Sequence, residues 1–200
     1  PETRYREDPV RMIRAVRLAA KLDLQIHPEA AEPMARLGRL IDSVPAARLF
    51  DEFLKVFETG HALESYRRLR EHGLFEHLFP ATADWLAADP SPGEAGGRRN
   101  RFIERALANT EQRIAEGLPV TPMFLFGVFL WGPVQDRANT LRRTGQLSEV
   151  QALIDAGIEV TDQQIARITL PRRFSVPLRE LLQLQPRVDR RPGRRPPVPL

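Results

Sequence analysis

The hydrophobic positions of this chain repeat with the period of an α-helix over most of its length. Near the start, apolar residues three or four positions apart share one helix face: Val10, Ile13, Val16 and Ala20. Asp8 stands where a helix N-cap is expected, and Pro9 stands where the first helical residue is expected. The pattern therefore predicts a helix from about Pro9 to Leu22.

The middle of the chain carries the same period, interrupted by proline and glycine. Residues 28–41 predict a helical segment that Pro33 can break. Residues 45–60 and 61–73 each predict an amphipathic helix that ends at a glycine, a residue suited to a left-handed helix end. We expect these two helices to form an antiparallel hairpin.

The second half of the chain is helical by the same criterion. Residues 88–97 contain too much proline and glycine for a regular element and predict a loop. Residues 121–133 are apolar on nearly every side, so they predict a buried helix that Gly132 and Pro133 end. The other predicted helices are residues 98–117, 134–144, 148–157, 162–168 and 170–184. No segment alternates as a strand does, so the predicted fold class is all-α and multi-helical.

Composition limits the classes of protein to which the chain can belong. It has 200 residues and no cysteine, which excludes disulfides and thiolate metal sites and fits a cytoplasmic protein. Its most hydrophobic stretch, Met123–Trp131, is too short to cross a bilayer. The chain begins with Pro1 and not with an initiator Met, so we expect a piece of a longer polypeptide.

Positive charge is concentrated in two places. A row of cations lies beside the apolar face of the first helix: Arg11, Arg14, Arg17 and Lys21. Near the end a cluster of arginines faces one acid, Asp189: Arg187, Arg190, Arg191, Arg194 and Arg195. This last segment has the proline and glycine content of an extended tail. Both clusters suit RNA as a polyanionic partner, although a solvated helix face and a solubilising tail are the alternative interpretations.

Asp8 and Arg11 form a pair with the chemistry to recognise a nucleobase. An arginine offers paired donors and a carboxylate offers paired acceptors, which match the edge of a base. The three-residue spacing puts both on one side of the first turn, where they can recognise a base jointly or pair with each other. Tyr5 is the aromatic residue nearest to the row of cations, and it can either stack on RNA or pack as a hydrophobic staple.

The segment EDPVRMIRAVRLAAKL resembles the region that follows the catalytic head in bacterial poly(A) polymerases and in the related tRNA CCA-adding nucleotidyltransferases. In that superfamily an EDxxR element opens the neck, and its Asp and Arg face the base of the incoming nucleotide. The resemblance implies nucleotide binding by Glu7, Asp8 and Arg11. It also implies RNA or phosphate binding by the row of cations on the first helix and by the arginine cluster near the end.

The segment PAARLFDEFLKVFETGHALESYRRLREHGLFEHLFP is similar to the body of bacterial poly(A) polymerases and favours them over CCA-adding enzymes. The resemblance implies a neck at residues 1–44, an RNA-binding body at residues 45–185 and a basic tail at residues 186–200. It further implies an enzyme that adds AMP from ATP to RNA 3′ ends.

The catalytic chemistry implied by the resemblance has no counterpart in these residues. Carboxylates that hold Mg²⁺ against the ATP triphosphate would belong to a head domain elsewhere in the polypeptide. The adjacent acids Asp51 and Glu52 diverge on a helix, and the histidines lack the spacing of metal ligands. We therefore expect no catalytic or metal-binding residue here and no activity of this part alone. A CCA-adding enzyme and a non-catalytic helical RNA-binding module are the alternatives.

Overall fold

A computed structural model describes residues 1–89, 97–145 and 147–189, with side chains up to residue 184. The described residues contain helices and turns and no strand, which confirms the predicted all-α class. The α-helices are α1 (Glu2–Glu7), α2 (Val10–Leu22), α3 (Pro28–Leu37), α4 (Ala46–Phe57), α5 (Ala62–Glu71), α6 (Pro80–Ala87), α7 (Gly97–Ala115), α8 (Pro122–Thr144), α9 (Glu149–Arg167) and α10 (Arg172–Asp189), and a 3₁₀ helix spans Gly38–Ser43.

Helix α8 is the central element of the fold. It packs against α6, α7, α9 and α10, and its apolar side chains are inaccessible to solvent on several sides. Thr121 caps its start by accepting a hydrogen bond from the backbone N–H of Phe124, with Pro122 in the first turn. The prediction that the apolar segment 121–133 forms the buried core is therefore confirmed.

Aromatic rings join α8 to the helices around it. Phe129 lies 4.5 Å from Phe79 and 5.2 Å from Phe57, measured between ring centroids, and Phe126 lies 4.8 Å from Phe53. These tilted and edge-on arrangements are the favourable geometries for aromatic pairs. The cluster fixes α4 and the segment before α6 against the central helix.

The prediction that Gly132 and Pro133 end a helix is wrong. Helix α8 continues through both residues to Thr144. Proline has no N–H to donate to the carbonyl of Phe129 four residues earlier, and the buried hydroxyl of Thr82 on α6 donates to that carbonyl at 2.9 Å. At Gly132, α6 packs so closely against α8 that a Cβ would overlap the ring of Trp85. Tertiary contacts thus compensate for two residues that usually end helices.

Three other helix boundaries differ from the sequence-based predictions. Helix α3 runs through Pro33, which is buried, and α9 runs unbroken through Gly157. Helix α10 reaches Asp189, so residues 187–189 are helical and the expected extended tail does not begin at Arg187. Helices α1 and α6 were not predicted, because six and eight residues are too short to show a helical period.

The helix ends in the middle of the chain follow the prediction. Helix α4 is followed by Gly60 with φ of 82°, and α5 is followed by Gly73 with φ of 65°, both in the left-handed region that glycine adopts readily. The two helices pack against each other. Most of the loop predicted at residues 88–97 lies outside the described residues.

Candidate functional site

Asp8 lies at the junction of α1 and α2. Its backbone is extended, with φ of −147° and ψ of 93°, and its carbonyl accepts a hydrogen bond from the N–H of Arg11 at 3.0 Å. Its carboxylate does not cap α2, so the N-cap prediction is wrong. The carboxylate instead contacts Arg48 Nη2 at 2.9 Å and Arg11 Nε at 3.9 Å. The sequence-based pairing of Asp8 with Arg11 is thus present, with a second arginine added.

The three residues of the EDxxR element differ in their exposure at this junction. The side chain of Asp8 is 20% exposed, that of Arg11 is 49% exposed and that of Glu7 is 57% exposed. Glu7 makes a 3.6 Å ion pair with Arg4 on the surface of α1. A ligand approaching from solvent can therefore reach the Arg11 guanidinium, whereas Oδ1 of Asp8 is inaccessible and has no hydrogen-bond donor among the described residues.

Helix α4 contributes two charged residues that the sequence analysis did not assign to the site. Arg48 contacts Asp8, and Glu52, one turn later, accepts two hydrogen bonds from Arg14 at 3.1 and 2.8 Å. Lys55 donates to the same oxygen of Glu52 at 3.2 Å. The sequence carries only a local signal for these residues, because a spacing of four puts Arg48 and Glu52 on one face of α4 without indicating their partners.

Glu52 is a buried carboxylate between these two helices. Its side chain is 2% exposed, whereas those of Arg14 and Lys55 are 41% and 50% exposed. Burial raises the pKa of Glu52, but the hydrogen bonds and positive charges of Arg14 and Lys55 together outweigh it and hold the pKa below its ordinary value. Glu52 is therefore ionised at neutral pH and fixes α4 to the basic side of α2.

The cations of α2 differ in their availability. Arg14 is held by Glu52, and the Nε of the partly buried Arg17 has no acceptor among the described residues. Lys21 is exposed in the last turn, where it also interacts favourably with the helix dipole. Their assignment to phosphate binding stays a prediction, and Arg11 and Lys21 are the two most accessible members of the row.

Tyr5 does not offer a surface for stacking. It is 5% exposed, and its hydroxyl donates to the carbonyl of Ala30 at 3.1 Å. The RNA-stacking interpretation of this residue is therefore wrong, and its ring belongs to the core beneath α2.

The arginine cluster near the end is described only in part. Arg187 lies within the helical bounds of α10, and Arg190, Arg191, Arg194 and Arg195 lie outside the described residues. Within the ranges described, no three His, Cys, Asp or Glu side chains are grouped as metal ligands, and no helix is both long and apolar enough to cross a membrane.

Comparison with known proteins identifies the family. Residues 23–86 match the family model described as "Probable RNA and SrmB- binding site of polymerase A", and residues 145–198 match "Polymerase A arginine-rich C-terminus". Over 98% of its length the chain is 41% identical to Poly(A) polymerase I of Salmonella typhi and 38% identical to that of Haemophilus influenzae. The chain belongs to the bacterial poly(A) polymerase family.

The chain spans 41% of the length of the Salmonella poly(A) polymerase and 42% of that from Haemophilus. CCA-adding enzymes are also similar, but over a shorter part: that of Bacillus subtilis is 33% identical over 39% of this chain. The recognition of the family from the EDPVR and PAARLF segments is thus confirmed, and the poly(A) polymerase match covers more of the chain than the CCA-adding match.

Proposed function

We propose that this chain is the nucleotide-recognising and RNA-binding part of a poly(A) polymerase that adds AMP from ATP to RNA 3′ ends. The observation that carries the proposal is the similarity to poly(A) polymerases over 98% of the chain, combined with an exposed Arg11 beside Asp8 at the start of α2. The chain would act joined to a catalytic head, and the ATP triphosphate and Mg²⁺ would be held there.

The first role of the chain is recognition of the adenine base. Arg11 presents a guanidinium whose planar donors match ring nitrogens, and the acceptor of Asp8 is Oδ2, which a hydrogen bond from Arg48 at 3.0 Å holds in place. The 3.9 Å separation of Arg11 from Asp8 is too long for a hydrogen bond, so the guanidinium can turn towards a base at little cost. Glu7 lies at the same junction and is the third member of the proposed nucleotide site.

The second role is contact with the RNA backbone. The two family models that match the chain are both named for polymerase A, one for RNA binding and one for its arginine-rich end. We assign phosphate contacts to Arg14, Arg17 and Lys21 on α2, together with Arg187, Arg190, Arg191, Arg194 and Arg195. Such contacts supply affinity that does not depend on sequence, which suits an enzyme acting on many RNA ends.

The test of the nucleotide site replaces Arg11 by Ala in the intact enzyme. Each well-placed bidentate contact to a base contributes discrimination of about 10- to 100-fold, so the variant is expected to lose that much of its preference for ATP over CTP and GTP. The measurement is the ratio of kcat/KM values for the three nucleotides on one RNA primer.

Arg6→Ala is the matched control for this experiment. Arg6 is also an arginine about half exposed and in an ion pair, with Glu2 at 2.8 Å, but both residues lie on α1 and neither is assigned to the nucleotide site. The control should keep the preference for ATP. If Arg11→Ala keeps both the preference and the affinity for ATP, Arg11 is not in the nucleotide pocket. A separate outcome concerns the alternative function: if the intact enzyme adds C, C and A to tRNA and then stops, the CCA-adding alternative is favoured.

A further inference from the structure

The outward face of α7 carries three arginines around an exposed aromatic ring. Arg98, Arg101, Phe102 and Arg105 are spaced so that they share one side of the helix, and all four are exposed, with Phe102 at 43%. The opposite side carries Ile103, which is completely buried. Phe102 is therefore an exposed aromatic ring with arginines on both sides along the helix.

Two of these arginines are left without an ion pair in the described ranges, and Glu104, which lines the same groove as both, is paired with Arg67. Arg98 and Arg105 make no ion pair with any residue in the described ranges, whereas the adjacent Arg67 and Arg99 are paired with carboxylates at 2.8 and 3.1 Å. Helix α7 has five arginines and two glutamates, so it has an excess of positive charge. This excess lies along the exposed face on which Phe102 lies.

Phe102 forms the rim of a groove that contains both tryptophans of the chain. The groove has a volume of 400 Å³ and is lined by Trp85 and Trp131 as well as by Arg98. Trp85 is fixed in place, since its ring packs on Gly132 and the Arg99 guanidinium lies 5.0 Å from the ring centroid. On the other side of Phe102 an apolar groove continues between α8 and α10, lined by Phe124, Val128, Trp131 and Leu181.

The acids that face this groove are already bound by one arginine. Asp136 pairs with Arg99 at 3.1 Å, and Asp89 accepts a hydrogen bond from the backbone N–H of Arg99 at 2.8 Å. The remaining positive charge at the rim comes from Arg98, and Arg105 adds positive charge in the neighbouring groove that Arg98 and Phe102 also line. Aromatic faces beside unpaired arginines are the surface that single-stranded nucleic acid requires, because bases stack on rings and phosphates bind guanidinium groups.

We propose that this groove binds a single-stranded segment of RNA, with bases stacked on Phe102 and Trp131 and phosphates held by Arg98 and Arg105. The two arginines are about 10 Å apart along the helix axis, so they can contact different phosphates of one strand. The groove residues on α7 and α8 lie outside both segments that match the family models, at residues 23–86 and 145–198, whereas Trp85 on α6 lies inside the first of them. The proposal rests on the proposed function, since it adds a second RNA contact to the same protein.

The first test measures the affinity of the intact enzyme for fluorescein-labelled oligo(A) by anisotropy over a series of KCl concentrations. Phe102→Ala should weaken binding about 5- to 100-fold at unchanged salt dependence, because a stacking platform is lost. Phe102→Leu keeps an apolar side chain without the ring and should weaken it similarly. The double variant Arg98→Gln with Arg105→Gln should lower the slope of log K against log salt by about 1.4, or about 0.7 for each phosphate contact.

The control is the double variant Arg142→Gln with Arg143→Gln. It removes the same charge from two exposed arginines in the last turn of α8, about 16 Å along the helix axis from Trp131. The control should bind oligo(A) with an affinity close to that of the unmodified enzyme. An equal loss of slope in both double variants would mean a general charge effect and would overturn the assignment of Arg98 and Arg105.

The second test uses the tryptophans as probes. Bases stacked in the groove should quench the fluorescence of Trp131, so the quenching on oligo(A) binding should decrease strongly in Trp131→Phe, which keeps a ring at this position. If the intact enzyme binds oligo(A) and no groove variant changes the affinity, RNA does not bind in the groove, and the proposed function remains intact. Enzyme that binds no RNA in any form would overturn the proposed function. Phe102 variants that bind RNA normally but lose a protein partner would identify the groove as a protein-docking site and also overturn the proposal.

Discussion

At the scale of single residues, the ion pair of Arg14 with Glu52 is asymmetric. Glu52 is almost completely buried, whereas Arg14 and Lys55 remain 41% and 50% exposed. If Arg14 is removed, a buried carboxylate keeps only Lys55 at 3.2 Å, and its second oxygen already lacks a hydrogen-bond donor among the described residues. If Glu52 is neutralised, the two cations can be hydrated where they are. The two substitutions should therefore differ in cost.

We expect Arg14→Ala to lower the free energy of unfolding by about 2–3 kcal/mol and Glu52→Gln to lower it by about 1 kcal/mol. Urea denaturation followed by circular dichroism at pH 7 measures both values. Arg11→Ala is the control on the same helix, because Arg11 only approaches a carboxylate, at 3.9 Å, and its loss should cost less than about 1 kcal/mol. Equal costs for Arg14→Ala and Arg11→Ala would contradict the asymmetry.

The sequence predicted the local part of this site and missed the distant part. Asp8 and Arg11 are three residues apart, so the helical period alone places them together. Arg48 and Glu52 are separated from their partners by 40 and 38 residues, and no periodicity connects them. Their role depends on how α4 packs against α2, which only the tertiary structure shows. The resemblance to a family identified the nucleotide-binding candidates but not the residues that orient them.

At the scale of helices, α8 continues through a proline because a neighbouring helix replaces the missing donor. The carbonyl of Phe129 would receive a hydrogen bond from the residue at position 133, and the hydroxyl of Thr82 supplies it at 2.9 Å instead. Thr82 is completely buried, so water is not available as a substitute. Local sequence signals predicted that the helix ends here, because they carry no information about a side chain from another helix.

Thr82→Val keeps the shape of the side chain and removes the hydroxyl, so we expect it to destabilise the fold by about 1–3 kcal/mol. Pro133→Ala restores an N–H that can donate to Phe129, and in that background Thr82→Val should cost clearly less. A double-mutant cycle from four urea denaturation curves gives the coupling energy between the two positions. Additive costs would show that the hydroxyl does not compensate for the proline.

At the scale of the whole molecule, carboxylates with lowered pKa values connect different pairs of helices. Hydrogen bonds from Arg36 and Arg6 lower the pKa of Glu2 to about 2, which ties α1 to α3. The hydrogen bond from Arg67 lowers the pKa of Glu104 and ties α5 to α7, and Glu52 ties α4 to α2. Each group binds a proton more readily in the unfolded chain than in the folded one. Their contribution to stability is therefore complete above pH ~4.5 and decreases as the pH falls towards 2.

The free energy of unfolding should accordingly decrease as the pH falls from about 4.5 to 2, while the helices that these carboxylates join lose their connections. Urea denaturation at a series of pH values measures the slope. Glu52→Gln should flatten it at both 0.1 and 1 M NaCl, because a buried pair is weakly screened by salt. Glu2→Gln should flatten it mainly at low salt, because Glu2 lies at the surface. If the free energy of unfolding of Glu52→Gln falls with pH as steeply as that of the unmodified chain at both salt concentrations, the pKa of Glu52 does not differ between the folded and unfolded states.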